Sequence, residues 1–509
     1  MERNLNRTGK FVNNLFFATC HQVVILAVGF IVPRFMLDYY GSEINGLITS
    51  ITQFIEYFSL VEAGLSSASI FALYKPLSKD DHKEISAIVV ATRRFYVISG
   101  YIFLALVISF ALIYPLTVKI TTMDRWQITI LVLILGVGGV LEFFTLGKYR
   151  ALLTADQKLY VISISSILYT ILNTSILVIL SIMRVHIVLV RASMLSAILL
   201  RCVILFQYSR KNYSYIDYKE KPNNIALDKR WDALYSEIMG AVYRGTPVVI
   251  ATIFTNLKTV SVYSIYNMVM GGISSVLNVC TNSIFSSFGD IIARNETKLL
   301  QKAYQEFEFA YYSLVAIIYS VSFIMIMPFI YLYTKNITDA NYYDPILGSL
   351  FVVNALLYNL KTPQNMLVIS AGHYRETRLQ VTIQGGIIVL VGVLLVSRFG
   401  LAGILLGSIA SNIYRVIDLF FYVPKKITKL SVYSTVKRVL CLIMEVVIIC
   451  IPFQYIDMTC ESYFQWIQLA VISTMYAGVV IFLLGWIFNR KEMKGICNRM
   501  IALIKKTVH

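Results

Sequence analysis

Ionisable side chains inside apolar stretches are the residues of this sequence most able to do chemistry. Arg244 lies in GAVYRGTPVVI, and Glu56 and Glu62 lie in the apolar stretch that ends near residue 74. A charge in hydrocarbon is costly, so such a residue usually faces a cavity, a partner or a substrate. A guanidinium can hold a phosphate through two parallel hydrogen bonds. A carboxylate can carry a proton or a cation. These residue types predict binding and ion coupling.

Each of these residues also has a purely structural interpretation. Arg244 could pair with a neighbouring helix, although Gly245 and Pro247 would loosen its own helix. Glu62 lies in LVEAGLSS, where small neighbours favour an interhelical hydrogen bond over a coupling role. Glu56 and Glu62 are six residues apart, so on a regular helix they project in different directions. We therefore expect at most one of them to face a given cavity.

The other in-span charges divide into pairs and single residues. Arg34 and Asp38 are four apart, and Arg415 and Asp418 are three apart, so each pair can form an ion pair on one helix face. Lys361, just before Thr362-Pro363, has no acidic residue three or four positions away in the sequence. If they face a cavity, the in-span cations would favour an anionic substrate: Arg34, Arg191, Arg244, Lys361 and Arg415.

Motifs for bond-breaking chemistry are absent from the sequence. There is no phosphate-binding loop of the Walker type and no H-E-x-x-H. The five histidines are far apart, and the seven cysteines form no C-x-x-C pair. The outer loops predicted below are short; the largest, 334–345, is too small to carry a catalytic domain. We expect a protein that is not an enzyme and that holds no metal or cofactor.

The elements that position these residues are membrane helices. Apolar residues make up 57% of the chain and charged residues 14%, and the apolar residues form long uninterrupted runs. A run of about 20 apolar residues crosses a bilayer as a helix. The sequence thus predicts an all-α, polytopic membrane protein with about fourteen transmembrane helices, near 11–37, 44–74, 86–116, 127–149, 159–182, 187–208, 232–257, 260–290, 307–333, 346–370, 379–397, 401–423, 439–456 and 464–488. Paired glycines within these spans, such as Gly136–Gly139 and the G-x-x-x-G of Gly403 and Gly407, predict close helix packing.

The basic residues that give the chain its net charge of +17 lie mostly in short loops between the apolar runs. A soluble nucleic-acid-binding face is therefore excluded. With fourteen spans, 33 of the 45 Lys and Arg residues fall on one side and 7 at the opposite ends. The positive-inside rule then places both termini in the cytoplasm. We expect a multi-pass protein of the bacterial cytoplasmic (inner) membrane.

The polar interruptions predict how the chain is divided. An N-lobe of six spans covers 1–208, and a cytoplasmic linker covers 209–231. A C-lobe of six spans covers 232–423, and two extra spans cover 424–488. The tail, 489–509, has apolar residues at helical spacing among lysines and arginines, which predicts an amphipathic helix at the inner leaflet.

Four segments, in the same order along the chain, carry a family resemblance. They are YYGSEINGLITSITQFIEYFSLVEAGLSSASIFALYKPLS (39–78), ALLTADQKLYVIS (151–163), SVYSIYNMVMGGISSVLNVCTNSIFSSFGDIIARNE (261–296) and FGLAGILLGSIASN (399–412). Over nearly the whole chain the pattern resembles Wzx-type polysaccharide flippases. These form the polysaccharide transporter branch of the multidrug/oligosaccharidyl-lipid/polysaccharide (MOP) exporter superfamily.

The resemblance implies a function. The protein would flip oligosaccharide repeat units, linked to undecaprenyl pyrophosphate, from the inner to the outer leaflet by alternating access. Membrane lipids would surround it, and a polysaccharide polymerase machinery would be a possible partner. In such proteins spans one, two, seven and eight line the cavity, which favours Arg34, Glu56, Glu62 and Arg244; Lys361 is a further candidate.

The sequence also departs from two sister groups of that superfamily. It lacks the arginines that the lipid II flippase clusters in its first two spans, and it lacks the first-span acidic residue of some drug/sodium antiporters. A drug or metabolite antiporter of the same superfamily remains the main alternative. A polysaccharide polymerase is a further alternative, although it would need a larger outer loop.

Overall fold

The computed structural model describes residues 7–224, 230–455, 460–490 and 492–493. Every regular element among them is helical. The first eight helices are α1 (Arg7–Phe58), α2 (Leu65–Ser78), α3 (His82–Thr117), α4 (Arg125–Leu141), α5 (Gly147–Ala155), α6 (Leu159–Ile182), α7 (Ile187–Asn212) and α8 (Arg230–Phe254). The others are α9 (Leu257–Ala293), α10 (Thr297–Thr334), α11 (Pro345–Leu360), α12 (Thr362–Ser370), α13 (Arg378–Phe399), α14 (Leu401–Val423), α15 (Val432–Cys450) and α16 (Tyr463–Phe488).

The length and hydropathy of these helices identify a membrane protein. Ten stretches of the described residues are long and apolar enough to cross a bilayer. The first of them, Val12–Ser78, covers the first two predicted spans. Three further predicted spans fall on helix α8, on helix α15 and on the pair α11–α12, which are not among the ten stretches, so these three spans stay predictions. The predicted fold class, an all-α polytopic membrane protein, is confirmed. Most of the predicted amphipathic tail lies outside the described residues, so its helix stays a prediction.

Two glycines bend the first long helical stretch. Gly41, with φ 79°, kinks α1 between the first and second predicted spans. Residues Ser59–Glu62 then form a 3₁₀ turn, and Gly64, with φ 78°, starts α2. Glycine adopts positive φ without a steric penalty, so both breaks have a local cause in the sequence. The second predicted span is thus interrupted beside Glu62.

The described helices belong to two compact units, Met1–Ser264 and Ile265–His509, with the boundary inside α9. Helix α8 therefore belongs to the first unit by its contacts. In that unit α3 packs closely on α4. A Cβ on Gly136 would lie 2.3 Å from Cγ1 of Val107, and one on Gly139 would lie 2.5 Å from Cζ of Phe103. The close packing predicted for this glycine pair is confirmed.

In the second unit α13 and α14 pack backbone against backbone. A Cβ on Gly403 would lie 2.4 Å from the carbonyl oxygen of Leu395, and one on Gly407 would lie 2.6 Å from the nitrogen of Gly392. No side chain fits in this seam, so the G-x-x-x-G has the packing role that the sequence predicts. The assignment of 1–208 and 232–423 to two six-span lobes stays a prediction.

Helices α15 and α16 both pack against α10 in the second unit. Arg438 of α15 forms a buried ion pair with Glu308 of α10, and their side chains are 6% and 0% exposed. The Glu308 carboxylate also accepts hydrogen bonds from Tyr304 (2.8 Å) and Gln364 (3.0 Å). Its charge is thus compensated by several donors, as a buried charge requires. This network fastens α15 to α10.

Candidate functional site

A polar cavity of about 460 Å³ lies in the first unit, where the end of α1 meets α8. It contains three carboxylates and one guanidinium. Its lining residues are Gln53, Glu56, Tyr57, Ser59, Leu60, Glu62, Ala63, Glu237, Ala241 and Arg244. Three of the five site residues predicted from the sequence, Arg244, Glu56 and Glu62, therefore lie on one cavity.

Arg244 enters this cavity from α8, where two glycines make room around it. A Cβ on Gly245 would lie 2.4 Å from Nε2 of Gln53 and 2.7 Å from the hydroxyl of Tyr57, so α8 approaches α1 through a residue without a side chain. A Cβ on Gly240 would lie 3.2 Å from the Arg244 guanidinium, which therefore folds back along its own helix. Among the described residues, no carboxylate oxygen lies within 4.0 Å of this guanidinium.

Glu56 is exposed to the cavity near the end of α1. Its carboxylate accepts a hydrogen bond of 3.3 Å from Gln53, and it interacts electrostatically with Arg244. A carboxylate and a guanidinium that share a cavity without forming an ion pair leave hydrogen-bonding capacity for a third group. The cavity can therefore bind a polar solute that carries both donors and acceptors.

Glu62 also lines this cavity, which corrects the expectation that it and Glu56 would face different directions. The expectation assumed a regular helix, but the chain tightens into a 3₁₀ turn over Ser59–Glu62 and then breaks. The Glu62 carboxyl interacts electrostatically with Tyr96 of α3. The interhelical hydrogen bond of the structural interpretation stays a prediction, and the side chain reaches the cavity.

Glu237 is a cavity residue that the sequence interpretation missed. It is exposed on α8, two helical turns before Arg244, and thus lies on the same helix face. Because residues seven positions apart share a helix face, the spacing between Glu237 and Arg244 could have predicted that both line the same cavity. The third carboxylate gives the cavity a net negative formal charge.

The two remaining predicted residues are not among the residues that line this cavity. Arg34 forms an ion pair of 2.8 Å with Asp38, as the four-residue spacing predicts. Lys361 lies in the second unit, where its ammonium donates to the side-chain oxygen of Asn412 at 2.8 Å and lies over the ring of Tyr358.

An anionic substrate would be favoured if several of the five in-span cations faced one cavity. Arg415 forms the predicted ion pair with Asp418 at 2.6 Å and is 2% exposed. Arg191 donates to the sulfur of Met36 at 3.7 Å. Of the five in-span cations, Arg244 alone lines this cavity, so a single arginine favours an anionic substrate there.

A second charged cluster in the first unit was not predicted. Glu142 lies on a π-helical turn, Glu142–Leu146, between α4 and α5. It forms an ion pair with Arg150 and lies 4.0 Å from Arg201. Such turns are often found at functional sites. On a regular helix, residues eight positions apart are about 12 Å apart along the axis, too far for a direct ion pair, so the spacing of Glu142 and Arg150 did not predict this one.

The part of the chain that the structure describes contains no candidate metal site. No three His, Cys, Asp or Glu side chains come together there as metal ligands. The arrangement around Arg244 can bind and orient a solute through hydrogen bonds and charge.

Comparison with solved structures identifies the fold, whereas comparison by sequence finds no relative. No family model and no curated protein sequence matches. An inward-facing multidrug resistance MATE family transporter of the MOP superfamily has a TM-score of 0.69 and 14% identity, covering 82% of this chain and 96% of its own. Lipid II flippase MurJ, in an inward closed conformation, has a TM-score of 0.64 and 14% identity, covering 94% of this chain and 99% of its own.

A third structure, a MATE protein in the bent conformation, has a TM-score of 0.60 and 12% identity over 84% of this chain and 96% of its own. Identities this low establish the fold alone. The chain thus has the fold that a MATE family transporter of the MOP superfamily shares with the lipid II flippase MurJ.

Proposed function

We propose that this protein flips oligosaccharides linked to undecaprenyl pyrophosphate across the bacterial cytoplasmic membrane. The movement would run from the inner to the outer leaflet by alternating access and would serve the assembly of a surface polysaccharide. The observation that carries the proposal is the position of Arg244, a guanidinium without a carboxylate partner among the described residues, in a polar cavity of a transporter-like fold.

Arg244 supplies the contact expected for the pyrophosphate. Its planar guanidinium matches two phosphate oxygens at once, which a lysine ammonium cannot do. The residue lies near the middle of α8, followed by Gly245 and Pro247. By the predicted topology α8 is the seventh span; a charge near the middle of a span would be costly, and substrate binding would account for that cost.

The other polar groups of the cavity suit the sugars of such a substrate. Glu56, Glu237 and Gln53 offer oxygen acceptors for sugar hydroxyl groups, and the Tyr57 ring offers an apolar face. A pyrophosphate-linked sugar has one strongly anionic end and many hydroxyl donors. One arginine among several acceptors matches that distribution.

The extent of the structural match also supports the flippase. MurJ covers 94% of this chain, whereas the inward-facing multidrug transporter covers 82%. The two extra helices, α15 and α16, would explain this difference in coverage. MurJ would then have counterparts of both helices, and the multidrug transporter would have none. The proposal includes the predicted topology, with both termini cytoplasmic, and a polysaccharide polymerase machinery as a partner.

A second candidate function is export of a cationic drug or metabolite by antiport. The observation in its favour is the composition of the same cavity, in which Glu56, Glu62 and Glu237 outnumber Arg244. A cavity with a net negative charge attracts cations and can exchange them for protons. The MATE transporter with the higher TM-score is also described as a multidrug resistance protein.

The two functions are separated in a strain from which the gene has been deleted. Lipid-linked oligosaccharides are extracted and quantified beside the finished surface polysaccharide. The proposal predicts that complete repeat units accumulate on undecaprenyl pyrophosphate and that surface polymer is lost. Normal amounts of both, together with increased sensitivity to cationic drugs, would contradict the flippase and support the antiporter.

A further inference from the structure

Two cations of the first unit converge on one tyrosine ring, away from the cavity of Arg244. The guanidinium carbon of Arg93, on α3, lies 5.5 Å from the centre of the Tyr218 ring. The ammonium of Lys148, on α5, lies 5.2 Å from the same centre and 4.7 Å from the centre of the Tyr149 ring. None of these four residues lines the cavity described above.

Close packing of two helices brings the two cations together. A Cβ on Gly147 would lie 2.3 Å from Cε1 of Tyr96, so α5 meets α3 through a residue without a side chain. Lys148 follows Gly147 directly, and Arg93 lies one turn before Tyr96 on α3. The positions of the two charged side chains are thus set by the helix pair.

Tyr218 belongs to the polar segment after α7, which is attached to α3 at three places. The amide of Asp217 donates to the Ser86 hydroxyl at 3.1 Å. The side chain of Asn223 donates to Glu84 at 2.7 Å. The ring of Tyr215 stacks on His82 with centres 3.9 Å apart. Tyr218 lies between these attachments and is held over the two cations.

The same segment is fastened to the loop after α5 through Asp156. The Asp156 carboxylate accepts hydrogen bonds from the hydroxyl of Tyr213 at 2.6 Å and pairs with Lys158 at 2.8 Å and Lys10 at 3.4 Å. Burial alone would raise the pKa of Asp156, but these hydrogen bonds and positive charges outweigh burial and lower it. The carboxylate is therefore ionised and holds the segment at neutral pH.

The charge around Arg93 and Lys148 is not balanced within the described chain. No carboxylate oxygen there lies within 4.0 Å of either cation. The two like charges repel each other, so together they favour an anion. Tyr218 is 40% exposed, and Arg93 is exposed as well, so a solute can reach both.

We propose that Arg93 and Lys148, together with Tyr218, bind a phosphate group. The guanidinium would hold two phosphate oxygens, the ammonium would add a second positive charge, and the tyrosine hydroxyl would donate a hydrogen bond. By the predicted topology the site lies at the inner ends of α3 and α5, where acidic phospholipid headgroups are available. The phosphate then belongs to such a headgroup or is free in solution.

The test compares the purified full-length chain with the variant Arg93→Gln/Lys148→Gln. Native mass spectrometry counts the phosphatidylglycerol molecules that survive exchange from mixed phosphatidylglycerol and phosphatidylcholine micelles. The matched control is Lys425→Gln/Lys426→Gln, which removes two exposed cations from the second unit. The wild type and this control should retain one phosphatidylglycerol more than the Arg93/Lys148 variant, and the single variants should bind it with intermediate affinity. The affinity loss in the double variant should be about 30-fold, which corresponds to about 2 kcal/mol for the two cations.

A second measurement separates the two sources of phosphate. If lipid retention is equal but inorganic phosphate at millimolar concentration raises the melting temperature of the wild type and not of the Arg93/Lys148 variant, the site binds free phosphate. If neither lipid retention nor the effect of phosphate differs between wild type and variant, the proposal is wrong. The two cations would then be stabilised by the tyrosine rings alone, without a bound anion.

Discussion

Gly245 and Gln53 meet at the wall of the Arg244 cavity with no space for another atom. A Cβ on Gly245 would lie 2.4 Å from Nε2 of Gln53, closer than any side-chain carbon can approach. The neighbouring residue, Arg244, is the cavity's only positive charge among the residues that line it. The positions of the Gln53 amide and the Tyr57 hydroxyl, and with them the shape of the cavity beside the guanidinium, therefore depend on a residue without a side chain.

Replacing Gly245 with alanine should displace the ends of the Gln53 and Tyr57 side chains, which line the cavity. Because both ends can turn aside, the free energy of unfolding should fall by about 1 kcal/mol, at the low end of overpacking costs, whereas transport should weaken because the cavity changes shape. Gly386→Ala is the matched control, because a Cβ there has no atom within 4 Å. Equal transport by the two variants would show that the positions of the Gln53 and Tyr57 side chains do not affect the cavity.

The buried ion pair between Glu308 and Arg438 gives a prediction for stability. Arg438→Ala should lower the free energy of unfolding by about 3–5 kcal/mol, because it leaves the fully buried Glu308 carboxylate without its cation. Arg294→Ala is the control: its ion pair with Asp290 is exposed and should contribute about 1 kcal/mol or less. Denaturation in a defined detergent measures both. A loss for Arg438→Ala no larger than for Arg294→Ala would contradict the buried network.

Asp156 gives a prediction for the dependence of stability on pH. Its pKa is lowered in the folded protein, so its stabilising contribution is present above the unfolded pKa of about 4 and is lost as the pH falls through the folded value. Asp156→Asn should therefore destabilise the first unit at pH 7, by about 1–2 kcal/mol. The difference from wild type should shrink below pH 4. A difference that is the same at pH 7 and in acid would show that the Asp156 charge contributes nothing.

Glu62 should be more important for transport than Glu56. Glu62 is half-buried at the helix break, and the charges of Arg150, Glu142 and Glu237 act on it. Glu56 is exposed near the end of α1. Glu62→Gln should reduce surface polymer in a complemented deletion strain at least about tenfold, the effect of removing about 1.4 kcal/mol of interaction. Glu56→Gln should have a smaller effect, and the reverse order would contradict this assignment.

Local patterns in the sequence predicted the spans and the short-range ion pairs. Membrane thickness fixes the length of an apolar run, which is why the all-helical class followed from hydropathy. Helical geometry fixes which residues are neighbours, which is why Arg34–Asp38 and Arg415–Asp418 were predicted correctly. Both rules act within one element of regular structure.

Irregular helices and long-range pairs could not be predicted in this way. Glu56 and Glu62 share a cavity because a 3₁₀ turn replaces the α-helix between them. Glu142 meets Arg150 across a π-helical turn. Glu308 and Arg438 are 130 residues apart. Their pairing depends on how α15 packs against α10, and no local spacing encodes it.

The most direct test of the proposed function replaces Arg244 in the complemented deletion strain. Arg244→Ala should abolish surface polymer and cause lipid-linked repeat units to accumulate, whereas membrane insertion, measured by immunoblot of the membrane fraction, should be unchanged. Arg244→Lys should restore only part of the polymer, because an ammonium keeps the charge but not the paired hydrogen bonds, and Arg294→Ala should behave as wild type. Wild-type polymer in Arg244→Ala would contradict the account.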